Sequence, residues 1–294
     1  MFTVSIIGVG RVGGALALAL PREQFSIEHL VRRSDSAASD AVATRSIPLA
    51  TTLDQLSEIN SEIIFITTQD AEIADVAQQL KSKLSVRPFV FHTSGALSSS
   101  VLNELAAIGC KTGSIHPLVS ISNANDGQER FKNSFFCIEG QREALEMSRT
   151  IVASLGGLSF SIDTQFKTLY HAAAVTACGH LVALFDAAVE MMTKCGLSED
   201  EGKRILLPLV QSTVQNIGEQ NTAAALTGTF ARADVETFVE HLKVLNTTVS
   251  DEILEIYLLL GERSLELAAK SGVSRERVDA LRTKVSIAKS KVKW

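Results

Sequence analysis

Short apolar runs alternate with amphipathic stretches over the first 163 residues of this 294-residue chain. The runs at 2–8, 26–31, 62–66, 87–92, 112–116, 134–139 and 157–162 predict strands. Between them, 12–20, 72–80, 99–107 and 142–155 carry apolar residues at helical spacing. Strands alternating with helices imply βαβ units and a mostly parallel sheet. Residues 117–133, polar and rich in Asn, Asp and Gly, predict a loop before a late strand. From about Asp163 the strand-like runs cease, and 164–194, 199–218, 233–246, 248–271 and 274–290 predict helices. Gly196 and Gly272 stand where helices would end, and Ser198 and Ser274 where the next would begin. The stretch 248–271 is apolar on nearly every side, which predicts a helix buried all round, in a bundle or at a subunit interface. The chain therefore divides into an α/β domain over 1–163 and an all-α domain over 164–294.

The first turn of the α/β half carries chemistry. Val4-Ser5-Ile6-Ile7-Gly8-Val9-Gly10-Arg11-Val12-Gly13 sets a G-x-G-x-x-G fingerprint between a strand and a helix. In that setting Gly8 permits the tight turn and Gly10 lets backbone approach a pyrophosphate. Gly13 lets helix and strand pack closely, so the helix N-terminus faces the anion. Gly8, Val9, Gly10, Arg11, Val12 and Gly13 are thus expected to hold a dinucleotide on a Rossmann-type sheet. The second apolar run ends in Arg32-Arg33-Ser34, where an NAD site would carry an acid for the ribose 2′-hydroxyl. Two guanidiniums and a hydroxyl suit a 2′-phosphate instead, so the expected cofactor is NADP.

Other polar clusters fall at predicted strand ends and helix starts. Ser94, in His92-Thr93-Ser94-Gly95, can bind the nicotinamide carboxamide or simply cap a helix. Thr67 and Thr68 close the strand at 62–66 and are either cofactor contacts or turn residues. His116, followed by Pro117, is suited to exchange a proton with a substrate oxygen, although a lone histidine is often structural. Lys167 and His171 lie four apart on one helical face, and a lysine there can polarise a carbonyl. Asn216 is a candidate donor to substrate, and Arg232 can grip a carboxylate or phosphate bidentately. Asp234 either caps the following helix or orients Arg232.

Composition narrows the partners. A net charge of −5 gives no reason to expect nucleic acid, and no apolar run is expected to reach the roughly 18 residues of a membrane span. The N-terminus runs straight into a strand, so no secretion signal is expected. Cys110, Cys137, Cys178 and Cys195 are scattered without a CxxC, which predicts small buried side chains in a reducing cytoplasm, with no metal or disulfide framework.

The segments HTSGAL (92–97), GSIHPL (113–118), YHAAAV (170–175), LLPL with Thr213 and Asn216 (206–216), ALTGTFARAD (225–234) and HL with Leu245 (241–245) together resemble one family over nearly the whole chain. It is the family of Rossmann-like oxidoreductases with a DUF2520 C-terminal domain. The resemblance implies NADP dependence and a helical dimerisation domain of the 6-phosphogluconate-dehydrogenase C-terminal type, hence a homodimer. Two departures from its pattern stand out: Thr229 and Ala233 stand where TGP and RGD are usual, and Gly179 where an Asn is common. The Lys167-x-x-x-His171 spacing is similar to the Lys-x-x-x-Asn of β-hydroxyacid dehydrogenases, and Gly113-x-x-His116-Pro117 to the His-Pro turn of prephenate dehydrogenases. These likenesses imply hydride transfer between nicotinamide and a small oxo or hydroxy acid in the interdomain cleft, with a ketopantoate reductase as one instance. A non-catalytic NADP-binding regulatory or scaffold protein is the alternative expectation.

Overall fold

The computed structural model describes residues 1–32 and 52–290. Its contacts divide the chain into two compact units, Met1–Cys178 and a second from Gly179 onward.

The first unit is built on a seven-stranded sheet: β1 Phe2–Ile7, β2 Phe25–Val31, β3 Ile63–Ile66, β4 Phe89–His92, β5 Lys111–Pro117, β6 Phe135–Gly140 and β7 Leu158–Ser161. The spatial order is β2-β1-β3-β4-β5-β6-β7, parallel throughout except between β5 and β6. This is the Rossmann-like α/β arrangement that the alternating pattern predicts. Helices cover both faces, which is why the strands read as near-continuous apolar runs rather than alternating ones. On one face α1 (Arg11–Ala19) and a later helix, Arg142–Ser154, pack Leu16, Ile151 and Val152 against Ile6, Phe65, Phe91 and Phe136. On the other, α2 (Ile73–Lys81) and α3 (Asn103–Ala107) set Ile73, Leu80 and Leu105 against Ile7, Ile64, Ile66 and Val90. The chain reverses its direction of travel across the sheet between β1 and β3, and the loops leaving those two strands diverge to open a crevice there.

The expected loop at 117–133 holds a 3-10 turn, Ala124–Asp126, and a short helix α4, Gly127–Phe131. Buried Ile121, Ala124 and Phe131 pin it down, and a Cβ on Gly127 would lie 2.2 Å from that of Ala15. So few apolar positions, spread over a polar run, give no periodicity to read. The helix at 142–154 is α5.

The remaining helices are α6 Lys167–Lys194, α7 Glu199–Glu219, α8 Thr222–Ala225, α9 Gly228–Ala231, α10 Val235–Thr248, α11 Asp251–Lys270 and α12 Arg275–Lys289. In the second unit Phe238 of α10, Leu254, Leu258 and Leu265 of α11, and Leu281 and Val285 of α12 form the core. Within one chain the helix at 251–270 buries Leu258 and Leu265 but leaves Leu259 and Leu260 exposed, so the bundle alone does not bury it all round. Two expectations are corrected. Thr164–Lys194 is long and apolar enough, by length and composition, to cross a membrane, because isolated polar residues break up the run without lowering its average much. Cys110 and Cys137 are buried, whereas Cys178 and Cys195, on or next to a mostly exposed helix, are not.

Candidate functional site

The glycine fingerprint forms a compact turn at the crevice. Gly8 takes φ +105°, and its N–H donates to the Val31 carbonyl at 2.8 Å. A Cβ there would fall 2.8 Å from the backbone of Thr67 and Thr68, so only glycine fits. A Cβ on Gly13 would meet the Gly8 carbonyl oxygen at 2.0 Å, which brings the start of α1 against the end of β1. Gly10, the N-cap of α1, is different: a Cβ on it would meet no protein atom within 4 Å, so its backbone borders open space. Arg11 is exposed and Val12 half-buried in the first turn. Thr67 is spent on the scaffold, its hydroxyl donating to the Gly8 carbonyl and, at 3.3 Å, to that of Ile7. The buried Thr68 Oγ1 has no hydrogen-bond partner among the described residues.

A cavity of about 830 Å³ opens here, lined by Gly8, Val9, Gly10, Arg32, Thr67 and Thr68 together with Asp54, Glu72, Asp75 and Gln79. Eight of the twelve expected cofactor residues (Gly8, Val9, Gly10, Arg11, Val12, Gly13, Thr67 and Thr68) thus cluster at one end of the sheet, and Arg32 joins them. Arg33 and Ser34 lie outside the described residues.

Ser94, at the end of β4, is 6 % exposed, and its Oγ accepts from the N–H groups of Ala96 and Leu97 at 3.2 and 3.0 Å. Its hydroxyl therefore holds the turn in which it stands. Around that turn lies a polar cluster in the first unit, where α6 begins beside β4, β5 and β6. His116 Nδ1 is 2.8 Å from the Tyr170 hydroxyl, and the His171 ring meets the His116 ring edge-on at 5.8 Å. A Cβ on Gly95 would come within 2.4 Å of His171 Nδ1 and 2.8 Å of His116 Nε2, so both imidazoles close on a residue that must lack a side chain. Among the described residues His171 Nδ1 and His92 Nε2 are buried without hydrogen-bond partners, and His92 Nδ1 accepts from Ser94 N–H at 3.2 Å.

Lys167 is only 1 % exposed. Its Nζ donates to Ser114 Oγ at 2.8 Å, lies 4.0 Å from Cys137 Sγ and stands over the Tyr170 ring. Behind it is the buried Glu139 carboxylate, which accepts from Ser99 N and Oγ at 2.7 Å each and from Thr164 Oγ1 at 3.2 Å. That one carboxylate ties the turn after β4 to the segment leading into α6. Burial pushes the Lys167 ammonium down from its usual range, while Cys137 and Glu139 pull it back up. Burial first, and the charge of Lys167 second, push His92 down to about 4. The same two causes, then His171 and His92, push His116 down to about 3. Both imidazoles are therefore neutral at pH 7. Burial raises the Tyr170 phenol and the Cys137 thiol, so these stay protonated.

His116, Lys167 and His171, expected from separate motifs, thus come together within one unit. Asn216, half-buried on α7, and Arg232, exposed at the end of α9, belong to the second unit. There Asp234 caps α10, its carboxylate accepting from Thr237 N at 3.0 Å and Thr237 Oγ1 at 2.8 Å. Tyr170, Ser114, Cys137 and Glu139 join this cluster without having been expected as site residues, Cys137 having been expected only as a small buried side chain. Tyr170 was signalled by its place three residues after Lys167, and Glu139 by being the one acid in an apolar strand.

Residues 1–117 match a Rossmann-like domain, and residues 134–264 match DUF2520, a domain of unknown function. A comparison with curated proteins finds no sequence match. Among solved structures, a protein from Thermotoga maritima superposes with a TM-score of 0.70 at 24 % identity, over 91 % of this chain and 99 % of its own. A Bacteroides fragilis protein that carries a provisional NADP oxidoreductase name gives 0.70 at 22 %, over 90 % and 97 %. The NADP-bound pyrroline carboxylate reductase of Plasmodium falciparum gives 0.56 at 16 %, over 98 % and 99 %.

Proposed function

We propose, from the premise that this chain belongs to the proteins joining a Rossmann-like domain to a DUF2520 domain, that it is an NADPH-dependent reductase of a small oxo acid or of the corresponding imine. The observation that carries the reading is the turn at Gly8–Gly13, whose one unobstructed glycine, Gly10, borders the cavity that Arg32 also lines. The residues present fit a dinucleotide. The α1 N-terminus and Gly10 backbone suit a pyrophosphate, Arg32 a 2′-phosphate, and the unpartnered Thr68 hydroxyl a further polar contact. Asp54, Glu72 and Asp75 offer acceptors for the amino and hydroxyl groups of a nucleoside.

When bound, NADPH supplies hydride to the substrate carbon. The protein supplies orientation, and His116, neutral at pH 7, is proposed to hold the substrate heteroatom by a hydrogen bond. Its Nε2 has no partner among the described residues, and it stands beside Gly95 at the end of the sheet where nicotinamide is expected. Proteins of similar fold are named as a pyrroline carboxylate reductase and an imine reductase, so the substrate panel includes 2-oxo acids such as ketopantoate and cyclic imino acids. The helical half is proposed to pair with a second copy, since α6 and α7 expose Val182, Leu207, Leu209 and Val214.

Titration with NADPH and NADH, followed by nicotinamide fluorescence, tests the cofactor. Arg32→Ala is expected to weaken NADPH at least tenfold and to leave NADH little changed. Gly10→Ala should abolish binding of both without lowering the melting temperature, because its Cβ obstructs only the cavity. Failure of the wild-type protein to bind either nucleotide would overturn the reading.

A further inference from the structure

We propose that the buried ammonium of Lys167 makes the site selective for a carbonyl over an iminium, so that the substrate is a 2-oxo acid. The inference rests on the reductase reading and narrows its substrate class.

The β5–β6 ladder places the charge. Its antiparallel register sets Ser114 opposite Glu139 and His116 opposite Cys137. Paired residues share a face of a sheet, as do residues two apart along a strand, so these four side chains form one patch. Lys167 lies on that patch: its Nζ donates to Ser114 Oγ at 2.8 Å and stands 4.0 Å from the Sγ of Cys137, the residue opposite His116. Ser114 and His116 are only about 7 Å apart along β5, which brings the ammonium into the neighbourhood of the ring. Glu139, the acid of the patch, turns its carboxylate to Ser99 and Thr164 rather than to Lys167. The positive end of this pair therefore lies on the His116 side, and its charge reaches both His116 and His92. The other titratable groups of the cluster bring no negative charge. His171 is an imidazole, and burial holds the Tyr170 phenol and the Cys137 thiol in their protonated forms.

The two substrate classes respond oppositely to such a charge. In the reduction of an oxo acid, hydride from NADPH adds to the carbonyl carbon and the C=O electron pair passes to oxygen. Water supplies the proton that completes the hydroxy acid, and NADPH leaves as NADP⁺. Negative charge thus grows on oxygen in the transition state, where a fixed positive charge in a low-dielectric setting stabilises it. An imine takes hydride as the iminium, which arrives already positive and needs no further proton. Lys167 repels that cation, and the one carboxylate of the cluster is spent on Ser99 and Thr164. The imidazoles do not discriminate, since a neutral ring can donate or accept at its open nitrogen. Being 1 % exposed, Lys167 acts through space and makes no contact with the substrate.

The test does not depend on turnover. Tetrahydrofuran-2-carboxylate and proline differ only in a ring oxygen against a ring ammonium, and neither can be reduced by hydride. Calorimetric titration of the full chain, with and without saturating NADPH, is expected to show the ether binding at least tenfold more tightly. In Lys167→Met, which is close in length and removes the charge, that preference should fall below about threefold. Among substrates, kcat/KM of the wild type for a 2-oxo acid should exceed that for a cyclic imino acid at least tenfold. Proline binding as tightly as the ether, binding of neither, or a preference untouched in a folded Lys167→Met would each overturn selection by charge. The wild-type comparison decides the matter where the variant does not fold. Failure of the wild type to bind NADPH would instead overturn the reductase reading, and the two probes measured on the protein alone still report the selection.

Discussion

His92 and His116 are neutral imidazoles in the folded protein because burial removes the water that would solvate their charge, with the positive charge of Lys167 second. This makes stability depend on pH with a definite sign. The unfolded chain takes up these protons near pH 6.5, the folded chain only near 4 and 3. Their contribution is therefore complete above about pH 6.5 and is lost as the pH falls below it. For His92 the full difference amounts to roughly 3 kcal/mol. Urea unfolding at pH 7.5 and 4.5 should show the loss, and His92→Asn, which keeps an acceptor for Ser94 N–H, should recover much of it. An equal acid loss in the variant would refute the assignment. His116 at a strand end and Lys167 with His171 at i,i+4 spacing were legible in the sequence as candidates. That Lys167 points into the protein was not, because nothing local distinguishes a solvated lysine at a helix start from one satisfied by β5 and β6.

At the scale of elements, most predicted strands and helices stand within a few residues of where periodicity puts them, because both faces of the sheet and one face of the helices packed on it are buried. Where burial rests on a few scattered residues, as in α4, periodicity carries no signal. Close approach between elements is likewise invisible in it. Gly261 on α11 is such a case: a Cβ there would lie 2.5 Å from Cζ of Phe230, whose ring is wedged edge-on against Phe238 and Tyr257. Gly261→Ala gains at most about 1 kcal/mol of helix propensity. Overpacking a held ring costs about 1–3 kcal/mol. The variant should therefore melt several degrees lower, and an unchanged or raised melting temperature would show that the ring can yield.

At the scale of the whole molecule, the apolar side chains exposed on α6 and α7 exceed the scattered few of an ordinary monomer surface. If a second copy covers them, light scattering should give twice the chain mass of 31.6 kDa. Val182→Glu together with Leu209→Glu should shift the protein to a single chain, whereas a monomeric wild type would refute pairing. By itself the sequence determined the α/β-then-α order, the glycine turn after β1 and the basic end of β2. Each of these is encoded by spacing within one strand–turn–helix unit, where identity and geometry are locally linked. Only the tertiary structure decided how the polar residues are wired. Lys167 meets Ser114 and Cys137, and His116 meets Tyr170, across separations of 53, 30 and 54 residues. Pairings of that kind depend on how strands and a helix from distant parts of the chain pack together, and no local pattern records them.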